Sequence, residues 1–240
     1  MIHTNLRINK FNNREELFKA IANKTQHDLA EAVITKGGAS FIVPGGTTPA
    51  PAFDLLSKAE LEWEKITIAQ SDERWLDASH AQSNERLTRE NLLINNAKIA
   101  KYISMKNDAN TTEQGELDCN KTYASIPNPF TICMLGMGLD GHIASLFPDS
   151  KNIDNALSLE NKDLCIAIDA TGCPVAGDYP KRMSLTLSAI LHSETILLLI
   201  TGKEKLSIIE NLLEEQRQTE IPVSRILNQS STAVEVFWCN

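Results

Sequence analysis

The stretch "SFIVPGGTTPAPAFDLLS", residues 40–57, carries a strand, a turn and a helix start in close succession. Phe41, Ile42 and Val43 follow one another without a polar break, which reads as a short buried strand. Pro44, Gly45 and Gly46 turn the chain. Thr47 or Thr48 then offers a hydroxyl N-cap, and Pro49 suits the first turn of a helix. A continuous apolar strand is buried on both faces, as in a parallel sheet covered by helix layers. This stretch therefore points to an α/β chain.

The same grammar recurs on both sides. Residues 14–35 place Leu17, Ile21, Leu29, Ala32 and Val33 near one helical face, and Gly37 and Gly38 end that helix. Ile66 to Gln70 reads as a second strand that ends in the charged loop "SDERW". "SNERLTRENLL", 83–93, is amphipathic, with Ser83 as cap and Leu87, Asn91 and Ile94 spaced by helical turns. Thr131 to Leu135, "LCIAIDA" (164–170) and "TILLLITG" (195–202) supply further apolar strands. "KEKLSIIENLLEE" (203–215) is a helix, and "TAVEVFWCN" (232–240) a closing strand. The polar segment 105–125 reads as a loop excursion with a short helix. No domain boundary, repeat or low-complexity tract interrupts the chain. The expectation is one α/β domain over 1–240, with a mostly parallel, Rossmann-like sheet flanked by helices in three layers.

Composition narrows the function. The chain has 240 residues, 42% of them apolar, and a formal charge of −8. That balance, without clustered Lys and Arg, argues against a nucleic-acid surface. No run of about 18 apolar residues exists, so no membrane span is expected. The first residues, "MIHTNLRINKFNNREE", lack the apolar core of a signal peptide, and a cytoplasmic location is expected. Five cysteines with no C-x-x-C pair support neither a zinc site nor a disulfide framework, and read as reduced thiols.

Three apolar strands end in chemically loaded loops: "VPGGTTP", "QSDERW" and "LGMGLDGH". Ligands in open α/β sheets bind beyond the carboxyl ends of the strands, so these loops should meet in one crevice. In the first, Gly45 and Gly46 permit close backbone approach. The unpaired amides of the next helix and the Thr47 and Thr48 hydroxyls could then cradle a phosphate. An ordinary strand-to-helix turn would look the same. In the second, Asp72 and Arg74 stand two apart, so an extended chain would point both one way. The alternative is a solvated charged loop.

The third loop, with Gly136, Gly138 and Gly141, has the G-x-G-x-x-G spacing of a dinucleotide site. A dinucleotide site needs a long helix after its third glycine, and Pro148 follows Gly141 too soon for one. The loop instead exposes His142, whose imidazole suits proton transfer near neutral pH, beside Asp140. His3, His27, His80 and His192 lack such a setting and read as surface or helix-face residues. Arg182 and Lys205 are isolated cations beside structural punctuation, either of which could close on a phosphate. G-x-S-x-G and H-E-x-x-H are absent, and nothing marks Ser145 as a nucleophile.

Taken in order, "PGGTTPAPAFDLL", "SDERWLDASHAQSNERLTRENLL", "LGMGLDGHIASLFP", "PKRMSLT" and "TGKEK" resemble the 6-phosphogluconolactonase family over about residues 15–235. The resemblance implies an α/β domain of the type shared with glucosamine-6-phosphate deaminase. It also implies hydrolysis of 6-phosphoglucono-δ-lactone to 6-phosphogluconate, the second step of the pentose phosphate pathway, without metal or cofactor. Carried over residue by residue, Gly45, Gly46 and Thr47 match the phosphate loop, and Asp72 and Arg74 the acidic-basic loop. Asp140 and His142 match the element that holds the general base, and Arg182 and Lys205 the cations near the phosphate. Pro44, Ile143 and Met183 depart from the usual residues without touching that chemistry. The deaminases share the glycine loop and the Asp-Gly-His element, but follow the latter with Asn-Glu-Pro. Here "SLFP" stands instead, so the carboxylate that supports the deaminase histidine is missing. A non-catalytic sugar-phosphate sensor is the third possibility, and it lacks the DNA-binding segment such regulators carry.

The mechanism expected from these residues anchors the phosphate on Gly45, Gly46 and Thr47, with Arg182 and Lys205 nearby. His142 deprotonates water for attack on the lactone carbonyl, Arg74 stabilises the oxyanion, and His142 then protonates the leaving ring oxygen.

Overall fold

The computed structural model describes residues 5–214 and 221–240. His3 and the last residue of the helix expected over 203–215 lie outside them. In chain order the strands are β1 (Leu6–Phe11), β2 (Ala39–Val43), β3 (Ile66–Gln70), β4 (Asp72–Arg74), β5 (Lys101–Ile103), β6 (Phe130–Leu135), β7 (Cys165–Asp169), β8 (Lys181–Leu185), β9 (Ser193–Thr201) and β10 (Ala233–Cys239). The helices are α1 (Arg14–Lys36), α2 (Ala50–Ser57), α3 (Asn84–Asn91), α4 (Thr112–Tyr123), α5 (Ile153–Leu157), α6 (Leu187–Leu191), α7 (Lys203–Glu214) and α8 (Pro222–Leu227).

Seven strands form one parallel sheet in the order β1-β10-β9-β6-β2-β3-β5. The apolar runs are buried on both faces because alternate side chains feed two separate cores. Phe41, Ile68, Met134 and Leu199 point into one core, packed with Leu17 and Ile21 of α1 and Phe53 of α2. Ile42, Ala69, Leu135 and Leu198 point into the other, with Tyr123 of α4, Ile209 of α7 and Ile226 of α8. This is the three-layer arrangement expected from the sequence.

Local signals set the helix ends. The Asn13 side chain caps α1 by accepting from the Glu16 amide at 2.9 Å, and Gly37 closes it with a left-handed φ of 80°. Ser83 caps α3 as expected, accepting from the Arg86 amide at 3.2 Å. Two expectations for helix ends are corrected. The cap position of α2 is Pro49, with no side-chain cap bond, so neither Thr47 nor Thr48 caps it. Asn91 ends α3, so Ile94 does not extend its face. The excursion at 105–125 holds a full α4 of 12 residues.

A second, antiparallel sheet of order β4-β8-β7 is the main feature absent from the expected plan. "LCIAIDA" belongs to it and not to the parallel sheet. The charged "DER" is a strand, because pairing with β8 uses backbone groups and tolerates any side chains. Ser71 joins the sheets: its amide donates to the Val43 carbonyl and its carbonyl accepts from the Leu185 amide, each at 2.8 Å.

Candidate active site

β2 and β6 are neighbours at the centre of the parallel sheet, and the chain moves away from them in opposite directions. A crevice opens at the carboxyl ends of such a pair. The loop after β2 brings Gly45 and Gly46, and the loop after β6 brings His142. Both line one cleft of about 320 Å³, together with Asp72, Arg74, Arg182 and Lys205. An imidazole and a glycine turn nearly a hundred residues apart in sequence thus face the same space. Thr47 is exposed, and its neighbour Thr48 lines the cleft in its place.

The histidine loop is tightly tied. The Gly138 amide donates to the His142 carbonyl at 3.0 Å, and the Val223 amide donates to the Gly141 carbonyl at 3.0 Å. No helix follows Gly141: Ile143 and Leu146 form an antiparallel bridge there. The dinucleotide geometry is therefore absent. Nδ1 of His142 lies 2.6 Å from Asp140 Oδ1, which also accepts the His142 amide at 3.2 Å. A carboxylate on Nδ1 assigns the ring proton to that nitrogen and leaves the Nε2 lone pair for chemistry. Burial pushes the Asp140 carboxyl up, but the His142 hydrogen bond, the His142 charge and backbone amides outweigh it and hold its pKa below the ordinary value. Phe147 packs on the imidazole with centroids 4.4 Å apart.

The small sheet supplies the opposite wall. Asp72 and Arg74 both face the cleft, as their spacing of two requires, while Glu73 points away. Glu73 is fully buried, and it accepts the Asn84 and Glu85 amides at 2.9 and 2.8 Å, capping α3 from outside. Asp72 accepts from Ser145 Oγ at 2.6 Å and Ser71 Oγ at 3.0 Å. Ser145 thus positions a carboxylate and has no histidine partner.

Arg182 is only 6% exposed. Its Nε donates to the Tyr179 carbonyl and its NH2 to the Ala176 carbonyl at 2.9 Å. One NH1 remains, 4.0 Å from Asp72 Oδ2. Burial pushes its pKa down to about 10, against the pull of Asp72, so it is a cation at neutral pH. Arg74 donates NH1 to the Gln82 carbonyl at 2.7 Å. Lys205 stands in the first turn of α7, and burial lowers its pKa while Asp140 raises it.

The structure also brings in Asn84 and Phe147, which the sequence did not single out. Arg74 Nε and Asn84 Oδ1 are buried and find no hydrogen-bond partner among the described residues. Such groups suit a ligand that carries both acceptors and donors. The Asn84 amide packs on the glycine turn, where a Cβ added to Gly45 would stand 2.1 Å from Oδ1. Phe147 lies between the His142 imidazole and a cation, with the Arg182 guanidinium 5.6 Å from its ring. No local pattern in "SLFP" or "QSNE" announces these roles, since each depends on a partner distant in sequence. Among the described residues, no helix is long and apolar enough to cross a membrane.

An α/β crevice that joins a histidine, a glycine turn and three cations suits an anionic ligand. The chain matches the family described as Glucosamine-6-phosphate isomerases/6-phosphogluconolactonase over residues 12–238. It is 34% identical over 224 residues to a 6-phosphogluconolactonase of Xylella fastidiosa, covering 93% of this chain and 92% of that protein. A crystal structure of a 6-phosphogluconolactonase from Shewanella baltica superposes with a TM-score of 0.93 at 38% identity, covering 100% of both chains. A monomeric glucosamine-6-phosphate deaminase, at 22% identity, shares the fold with a TM-score of 0.77 over 98% of this chain and 97% of that one. The chain belongs to the glucosamine-6-phosphate isomerase/6-phosphogluconolactonase family.

Proposed function

We propose that this chain hydrolyses 6-phosphoglucono-δ-lactone to 6-phosphogluconate, acting as one α/β unit. The observation that carries the proposal is the placement of His142, its Nδ1 bonded to Asp140 at 2.6 Å, in one cleft with Gly45, Gly46, Arg74, Arg182 and Lys205. The phosphate sits by the glycine turn, balanced by Arg182 and Lys205, with Asp72 and Thr48, which lines the cleft in place of the expected Thr47, among the contacts to substrate. That anchorage leaves the lactone carbonyl beside His142. Nε2 takes a proton from water as the water oxygen bonds to C1. Arg74 meets the oxyanion. The C1–ring oxygen bond then breaks, and the imidazolium returns its proton to the ring oxygen. Proton transfer by a placed base of this type contributes roughly 10²- to 10⁴-fold.

Relatives named 6-phosphogluconolactonase, at 34% identity over nearly the full chain, support this activity. The deaminase reading is disfavoured by Phe147, which packs on His142 from the segment that carries a supporting glutamate in deaminases. The absence of a nucleic-acid partner accords with the charge of −8, and placement in the cytoplasm with five unpaired cysteines. The decisive assay follows 6-phosphogluconate formation with a coupled dehydrogenase, corrected for spontaneous lactone opening. A rate no faster than the spontaneous one overturns the proposal. Release of ammonia from glucosamine 6-phosphate would favour the deaminase in its place.

A further inference from the structure

The two loops that flank the cleft meet at a contact remote from the reacting groups. His80 lies in the turn between β4 and α3, and Tyr179 lies two residues before β8. Their rings stand edge-on, with centroids 5.3 Å apart and planes at 72°. The Tyr179 hydroxyl is 3.4 Å from His80 Nε2. Neither ring lines the cleft.

Each residue nonetheless belongs to the seat of one cleft arginine. The Gln82 amide donates to His80 Nδ1 at 3.1 Å, and the Ser83 amide donates to the His80 carbonyl at 3.0 Å. Between those tethers, the Gln82 carbonyl accepts from Arg74 NH1 at 2.7 Å. On the adjoining loop, the Tyr179 carbonyl accepts from Arg182 Nε. Arg74 and Arg182 are direct partners in the β4–β8 pairing, so two like charges are held side by side. Like charges directly opposite on paired strands repel. Backbone acceptors that fix each guanidinium are what keep the pair aimed. Because Nδ1 of His80 accepts a hydrogen bond, the ring proton belongs on Nε2, facing the Tyr179 hydroxyl.

We infer that His80 and Tyr179 form a clamp that positions Arg74 and Arg182, joining the two loops whose carbonyls hold those guanidinium groups. The clamp touches no substrate and acts only through the arginines. The inference rests on the lactonase reading for its kinetic consequences, but not for its structural one.

Two measurements on the full chain test it. Hydrogen exchange reads the clamp without substrate: in Tyr179→Ala, the amides of residues 77–83, on the other loop, exchange faster than in the parent. Unchanged exchange there overturns the clamp, whatever the enzyme assay gives. Double-mutant cycles then read its effect on catalysis. His80→Ala lowers kcat/KM about tenfold in the parent, the scale of a displaced hydrogen bond to a charged group. In an Arg74→Ala background it costs nothing further. His80→Asn, whose Oδ1 replaces Nδ1 as acceptor for the Gln82 amide, recovers most of the loss. Tyr179→Ala raises KM several-fold only while Arg182 is present. Equal losses with and without the arginines, or equal behaviour of Ala and Asn at position 80, overturn the inference. If His80→Ala does not fold, Tyr179→Phe in the presence and absence of Arg182 serves the same cycle. A parent chain with no lactonase activity defeats the functional reading instead, and the exchange result still decides the clamp.

Discussion

A Cβ placed on Gly138 would stand 2.2 Å from Nδ1 of His142 and 2.4 Å from Oδ1 of Asp140. The glycine is thus the floor on which the imidazole–carboxylate pair rests. Gly138→Ala forces the pair apart, because the intruding methyl lands on both partners of one hydrogen bond. We expect kcat to fall by about two orders of magnitude, the scale of general-base loss, while inorganic phosphate binding by the Gly45–Gly46 turn is retained. A steady-state assay with a phosphate titration checks this, and a normal kcat would remove the pair from catalysis.

Asp140→Asn tests the partner. The carboxamide is nearly isosteric, but it no longer favours a proton on Nδ1, so the Nε2 lone pair is lost from part of the population. The expected outcome is a fall in kcat of about 10²-fold or more with KM little changed. The pair also links pH to stability. The native Asp140 pKa lies below its unfolded value. Its contribution is therefore present above the unfolded carboxyl pKa of about 3.9 and is lost as pH falls through the native one. Acid melts of the parent and Asp140→Asn should converge below that window and differ above it.

Lys205 gives the cleft a pH limit on the alkaline side. Burial lowers its pKa from the ordinary lysine value. It loses its charge, and with it phosphate attraction, at lower pH than a surface lysine would, near 10.4. Phosphate affinity measured by calorimetry should weaken as pH rises toward that range. Lys205→Met should bind more weakly, and its affinity should fall less steeply over this range than the parent's. A parent and variant with parallel pH profiles would take Lys205 out of the phosphate site.

Glu73 is a stability residue between two cleft residues, Asp72 and Arg74. Glu73→Ala leaves the Asn84 and Glu85 amides, now bonded at 2.9 and 2.8 Å, without their acceptor. The cost is about 2–5 kcal/mol for two buried donors. For a chain of this size that lowers Tm by roughly 5–15 °C, measurable by calorimetry. A melt within a degree of the parent would show that Ser83 alone caps α3.

The tripeptide Asp72-Glu73-Arg74 shows where sequence reasoning stops. Its alternation was legible: a spacing of two sent Asp72 and Arg74 to the cleft. That Glu73 would cap a helix ten residues later was not, because the bond is tertiary. The central strands were legible for a reason of solvent exclusion, since a strand buried on both faces reads as an unbroken apolar run such as "FIV" or "ILLLI". The edge strands β1 and β5, mixed in polarity, gave no such signal. Nor does an apolar run say which sheet it joins, which is why Cys165–Asp169 was placed in the wrong one. His142 and the glycine turn stood out by local chemistry. The arginines did so by spacing and position, with their roles coming only through resemblance, and Phe147 and Asn84 not at all, each being defined by a neighbour from another loop.

The two kinds of chemistry have different foundations. The proton-handling histidine and the glycine turn hang from the parallel sheet, whereas both guanidinium groups ride on the three-stranded one. Ser71 is the seam between them. Sliding one sheet over the other would alter the reach from the histidine to both guanidinium groups, while the histidine and the glycine turn kept their spacing. The seam therefore sets how the two arginines meet a ligand independently of how the parallel sheet presents it.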